Sequence, residues 1–178
     1  MATRPAPVSP KFWNPWRIAR WTIVAGLLLL PAIAMQFTSE VNWTPGDFVF
    51  AGILIGGSAL AYDIAVLTTA SHAYRGGIAV ALAASFLLVW INGAVGIIGN
   101  EDNPANLMFA GPLAIAFAGA LLSRFRPRGM ARTMATAAIA QIAVGLIALA
   151  MGIIIPFVTL FFAALWGASG ALFWKAAG

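Results

Sequence analysis

Charge is distributed along this 178-residue chain so that all ten lysines and arginines fall on one side of a series of apolar runs, and four of the five acids on the other. Arg4, Lys11, Arg17, Arg20, Arg75, Arg124, Arg126, Arg128, Arg132 and Lys175 flank alternate ends of six apolar segments, while Glu40, Asp47, Glu101 and Asp102 flank the opposite ends. Lys and Arg are retained on the cytoplasmic side during insertion. The pattern therefore predicts an all-α membrane protein, a six-helix transmembrane bundle with both termini cytoplasmic. Each span has to be helical, because hydrocarbon offers an unpaired backbone group no partner.

The last third of the chain sets the number of crossings. Thr133 to Trp174 is a run of 42 residues without a charge, which as one helix would extend about 63 Å against a hydrocarbon core of about 30 Å. It has to fold back, and Gly152 and Pro156 are the breakers in the right place, proline being tolerated in the first turn of a helix. The predicted spans are then residues 18–37, 48–70, 77–99, 107–123, 133–152 and 157–174, in one domain over residues 18–175. A basic leader over residues 1–17 precedes them, its Phe12, Trp13 and Trp16 suited to a headgroup layer. Arg17 and Arg20 ahead of an apolar run imitate a signal peptide. The run from Ile18 to Phe37 is nevertheless 20 residues, longer than the roughly 7–15 of a signal's apolar region, so it is expected to remain as a span.

With 62% hydrophobic and 8% charged residues, the chain has too little polar surface for a soluble globule. Its pI near 10.8 is accounted for by short basic loops beside apolar spans, where anionic lipid headgroups are the expected partner and nucleic acid is not. No cysteine is present and only one histidine, His72. Disulfides, thiolate metal sites and clusters of imidazole ligands are thereby excluded. No span carries a lysine for a Schiff base, and no His–Glu helix motif or glycine-rich phosphate loop appears. Neither a catalytic residue, nor a metal site, nor a cofactor is expected.

Helical periodicity, which sets residues three, four and seven apart on one face, gathers small residues into three stripes: Gly52, Gly56, Ala59 and Asp63; Ala81, Ser85, Asn92, Gly96 and Gly99; and Ala137, Gln141, Gly145, Ala148 and Gly152. Small residues let helix backbones approach closely in lipid. Each stripe carries one strongly polar side chain, and such a side chain must turn inward and find a partner. Counting from the inner ends of the spans, Asp63 lies roughly 7 Å deep, Gln141 about 12 Å and Asn92 about 22 Å. These residues form either separate interhelical hydrogen bonds or, bridged by Ser85, Thr68 or water, a polar ladder. Asp63, the one acid within a span, either stays protonated or pairs with a snorkelling Arg20, Arg75 or Arg132. A recurring Phe50-Ala51-Gly52, Phe109-Ala110-Gly111 and Phe162-Ala163-Ala164 also hints at three repeated hairpins.

Between the spans, Glu40-Val41-Asn42-Trp43 and Asn100-Glu101-Asp102-Asn103-Pro104-Ala105-Asn106 have a composition unusual for plain turns. Asn103 suits the cap of a helix that opens on Pro104. In these two segments the chain resembles small multi-pass proteins of bacterial inner membranes. The resemblance implies that setting and no particular activity or ligand. It draws attention to Glu40, Asn42, Trp43, Asn100, Glu101, Asp102 and Asn103 as an outer recognition surface, with solvated turns as the simpler reading. Two functions remain open. One is a non-enzymatic accessory or scaffold protein that associates with another membrane protein or with itself through its small-residue faces and outer loops. The other is a small permease or proton-linked channel that uses Asp63, Asn92, Gln141 and Ser85.

Overall fold

The computed structural model describes residues 14–178, so the expectations placed on Arg4, Lys11, Phe12 and Trp13 of the leader lie outside the described residues. All regular structure among the described residues is helical: α1 (Pro15–Ala34), α2 (Pro45–Thr68), α3 (His72–Ala94), a 3-10 turn (Pro104–Phe109) leading into α4 (Ala110–Leu122), α5 (Pro127–Ala150) and α6 (Pro156–Lys175). Six helices are long and apolar enough to cross a membrane, the fourth counted together with its 3-10 entry. The chain is a multi-pass helical membrane protein.

Proline sets most of the helix starts. Pro15, Pro45, Pro104, Pro127 and Pro156 each stand at the opening of their helix, where the missing N–H would have no partner anyway and the fixed φ is already helical. The helices therefore begin earlier than the apolar runs: the second at Pro45 and the fifth at Pro127, ahead of Arg128 and Arg132. Two further caps hold the starts in place. Asn14 Oδ1 accepts from Arg17 N at 2.8 Å. At α2, Asp47 Oδ2 accepts from Thr44 N at 2.7 Å while Asp47 N donates back to Thr44 Oγ1 at 3.3 Å, a reciprocal capping box.

The third helix stops at Ala94, although the apolar run continues to Gly99. Gly96 and Gly99 both take φ of +71°, the left-handed region open to glycine, and this turns the chain out of the helix. The fourth span is short in α-helix and is lengthened by its 3-10 entry. Pro112 has no N–H for the carbonyl four residues back, which suits a tighter turn just before it. Pro156 opens the last helix, and Gly152 at φ +80° reverses the chain between α5 and α6.

The chain divides into two compact units, Met1–Thr68 and Thr69–Gly178. The first is the α1–α2 hairpin. Its buried residues are few: Val24 and Pro31 on α1, and Ala51, Ala59, Asp63 and Ala65 on α2. In the second unit α6 packs against both α3 and α5, and α4 packs on α5. Its buried positions recur at alternating three- and four-residue intervals: Tyr74, Gly77, Ala81, Ala84 and Leu88 on α3; Met134, Ala137, Gln141, Val144 and Ala148 on α5; Thr159, Phe162, Trp166, Ser169 and Phe173 on α6. Small residues on α3 and α5 oppose large ones on α6, so the layers interdigitate. The recurring Phe-Ala-Gly/Ala triplets do not share a role, since Phe50 is exposed while Phe109 and Phe162 are buried.

Candidate functional site

Each unit buries polar side chains: Asp63 in the first, and Asn106, Thr133, Gln141, Thr159 and Ser169 in the second. In the hairpin, Asp63 is 2% exposed, and α1 supplies its partners. Arg17, Arg20 and Trp21 follow at helical spacing and so share a face. Arg17 Nε stands 3.0 Å from Asp63 Oδ2, Arg20 Nη2 pairs with Oδ1, and Trp21 Nε1 donates to Oδ2 at 2.8 Å. The guanidinium of Arg20 also lies 4.9 Å from the centre of the Tyr62 ring, a cation–π contact. Two guanidinium groups and an indole N–H thus hold and orient the carboxyl group. Of the cations expected for Asp63, Arg20 is a partner; Arg75 instead donates from Nε to Thr69 O at 3.0 Å, and Arg132 stands at an exposed position of α5. Arg17 and Trp21 were not anticipated, although their spacing from Arg20 carries the signal.

The second centre lies among α3–α6. Gln141 is 0% exposed, and no protein atom hydrogen-bonds either its Oε1 or its Nε2. Trp166 is likewise 0% exposed with Nε1 unpaired. Burying such a group without a partner costs about 1–3 kcal/mol. Their neighbours have settled their needs locally: Ser169 Oγ donates to Gly77 O at 2.8 Å and Thr159 Oγ1 to Ile155 O at 2.9 Å. Asn92 is half-buried and donates from Nδ2 to Leu88 O of its own helix at 2.7 Å, with Oδ1 unpaired. Ser85 is half-buried on the same helix. Asp63 belongs to the hairpin unit, whereas Ser85, Asn92 and Gln141 belong to the other, and the described hydrogen bonds of Asp63 and Asn92 lead to other partners. Thr68, the other expected bridge, donates to Ile64 O of its own helix at 2.8 Å. The described hydrogen bonds of Asp63, Thr68 and Asn92 each stay within one unit.

The proposed recognition residues are surface groups. Glu40, Asn42, Asn100, Glu101 and Asp102 are exposed, and Trp43 and Asn103 half-buried. Trp43 meets Phe48 edge-on at 5.2 Å. Asn103 caps the 3-10 turn, its Oδ1 accepting from Ala105 N at 3.0 Å. The organising residue of this loop is Asn106, which closes the unusual outer segment but is not among the recognition residues expected from it. Its Oδ1 accepts from Ile97 N at 3.0 Å and Ile98 N at 2.8 Å, and its Nδ2 donates to Ile98 O at 3.3 Å and Asn100 O at 2.7 Å. One buried carboxamide thereby satisfies the backbone that Gly96 and Gly99 have turned out of the helix. Two residues with opposite needs, a non-helical backbone and a nearby amide, were the available signal. His72 is exposed at the start of α3, and no three His, Cys, Asp or Glu side chains come together as a metal site among the described residues.

Helical glycines differ in whether a neighbouring side chain covers them. A Cβ on Gly77 would lie 3.1 Å from the Phe173 ring, and one on Gly145 or Gly119 would run into Thr159 or Thr133. On α2, by contrast, no atom of α1 comes within 4 Å of where a Cβ of Gly52, Gly56 or Gly57 would stand. No family model, curated protein or solved structure matches the chain.

Proposed function

We propose that the protein is a non-enzymatic accessory or scaffold component of a bacterial inner membrane, with both termini cytoplasmic, that associates with another membrane protein through the glycine face of α2 and the loops carrying Glu40 and Asn100. The observation that carries this reading is the contrast between glycines. In the second unit Gly77, Gly119 and Gly145 are covered by Phe173, Thr133 and Thr159, and Gly111 and Gly167 stand open singly, while α2 leaves Gly52, Gly56 and Gly57 open together within two turns. A small-residue stripe on a membrane helix lowers the cost of close approach by another helix, where dispersion and weak hydrogen bonds supply the attraction.

Transport through a polar path is supported less well. Its titratable member, Asp63, is committed to Arg17, Arg20 and Trp21, and Asn92 bonds its own helix. A proton carrier needs a carboxyl free to exchange hydrogen-bond partners, and this one is held by two guanidinium groups and an indole N–H.

A photoreactive residue at Ile53 or Gly57, activated in native membranes before mild-detergent isolation, tests the proposal. The expected outcome is a discrete adduct with one other membrane protein, lost when Gly56 is replaced by Leu. A lone, partner-free monomer, or adducts confined to the chain's own residues, would overturn it.

A further inference from the structure

Apart from Asn92 Oδ1 on α3, the unpaired polar atoms of the second unit belong to Gln141 and Trp166, at one level of the α5–α6 pair. Gly145 packs against Thr159, and Gly170 against Met134. That antiparallel register sets Gln141 opposite Ala163 and Trp166 opposite Ala138, within about one helical turn of each other along the hairpin. Both belong to the buried stripes of their helices. On α3 the residues at this level follow from Ser169 bonding Gly77 O and from Phe173 covering Gly77. They are Ala81 and Ala84, with the half-buried Ser85 next to Ala84 as the polar residue of α3 at this level. Ala137 on α5 and Phe162 on α6 are apolar.

We infer that this level of the α3–α6 unit is an internal water site, held by the Gln141 carboxamide and the Trp166 indole N–H. The bonding inventory fits the solute. Trp166 Nε1–H and Gln141 Nε2–H donate and Gln141 Oε1 accepts, so one water accepting from Trp166 and donating to Oε1 joins the two residues, and a second, or the same one, takes the carboxamide N–H. Buried waters make about three such bonds to groups otherwise unsatisfied. Charge excludes the main alternatives: the buried polar residues of this unit are Asn106, Thr133, Gln141, Thr159 and Ser169, none of them ionised. An ion would have no counter-charge there, and desolvating it would be prohibitive. The inference is independent of the partner proposed for α2, which involves other residues.

X-ray hydroxyl-radical footprinting of the full-length protein in nanodiscs, in water enriched in oxygen-18 and read by mass spectrometry, tests it directly, because radicals form from bound water and label what it touches. Trp166 is expected to be oxidised well above Phe173, which is equally buried on the same helix. In Gln141→Leu that labelling should fall to the Phe173 level. Trp166 labelling no higher than that of Phe173 in the unaltered protein would overturn the inference, and this comparison requires no variant to fold. Thermal unfolding supplies an independent sign. In a dry site Gln141→Leu removes two unpaired atoms and raises Tm, which counts against a water; in a hydrated one it strands Trp166 and lowers Tm. A small molecule that co-purifies stoichiometrically and is lost in Gln141→Leu would replace water as the occupant and overturn the assignment.

Discussion

Asp63 has the most to lose from a single change. Its carboxylate is nearly inaccessible and meets Arg17, Arg20 and Trp21 together. Replacing Asp63 by Asn removes the charge and leaves two guanidinium groups facing each other in the hairpin. Breaking a buried pair from one side costs about 3–5 kcal/mol, and the lower end applies because Arg20 keeps 27% of its side chain exposed. Adding Arg17→Gln should recover part of that loss, since it removes one stranded cation; thermal unfolding of the single and double variants in detergent reads the coupling. An Asp63→Asn protein as stable as its parent would contradict the ion pairing. At this scale the sequence was legible where a charge had to be neutralised. An acid within an apolar run needs a cation, and helical spacing shows that residues 17, 20 and 21 form one face. It was much less legible for amides. Asn92, Gln141 and Asn106 carry the same carboxamide group, yet one bonds its own helix, one bonds no protein atom and one ties together a loop. The difference comes from the backbone that each meets.

The elements follow from punctuation more than from hydropathy. Five helices open on proline, so their boundaries run past the apolar segments into residues that hydropathy alone assigns to loops. The third helix ends where Gly96 and Gly99 adopt conformations that β-carbons resist. What hydropathy could not convey is which glycines are covered, because that depends on the register of neighbouring helices. Gly145 lies under Thr159, whereas nothing lies within 4 Å of a Cβ at Gly167. Gly145→Leu should therefore force the α5–α6 pair apart and cost about 1–3 kcal/mol. Gly167→Ala should be neutral or stabilising by up to about 1 kcal/mol through helix propensity alone. Denaturation followed by circular dichroism separates the two; equal effects would show that the α5–α6 register is other than described.

For the whole molecule, the charge map makes a prediction that helix geometry alone does not. Six crossings and cationic loops between alternate pairs of helices require Arg126, between α4 and α5, to share a compartment with Lys175, and Asp102, between α3 and α4, to stand on the opposite side. The chain contains no cysteine, so single cysteines can be introduced without background. Arg126→Cys and Asp102→Cys are exposed positions outside the helical spans, where neither substitution removes a described hydrogen bond or ion pair of the side chain. In intact cells of a bacterial host, a membrane-impermeant maleimide should label the cysteine at 102 and spare the one at 126, and both should react once the membrane is opened. Labelling at 126 in intact cells with 102 protected would invert the bundle. Labelling of both would require no crossing between them, or an even number, in place of the single α4 span. Either result would remove the reason for assigning Glu40 and Asn100 to an outer recognition surface, while leaving the buried contacts of Asp63 and Gln141 as they are.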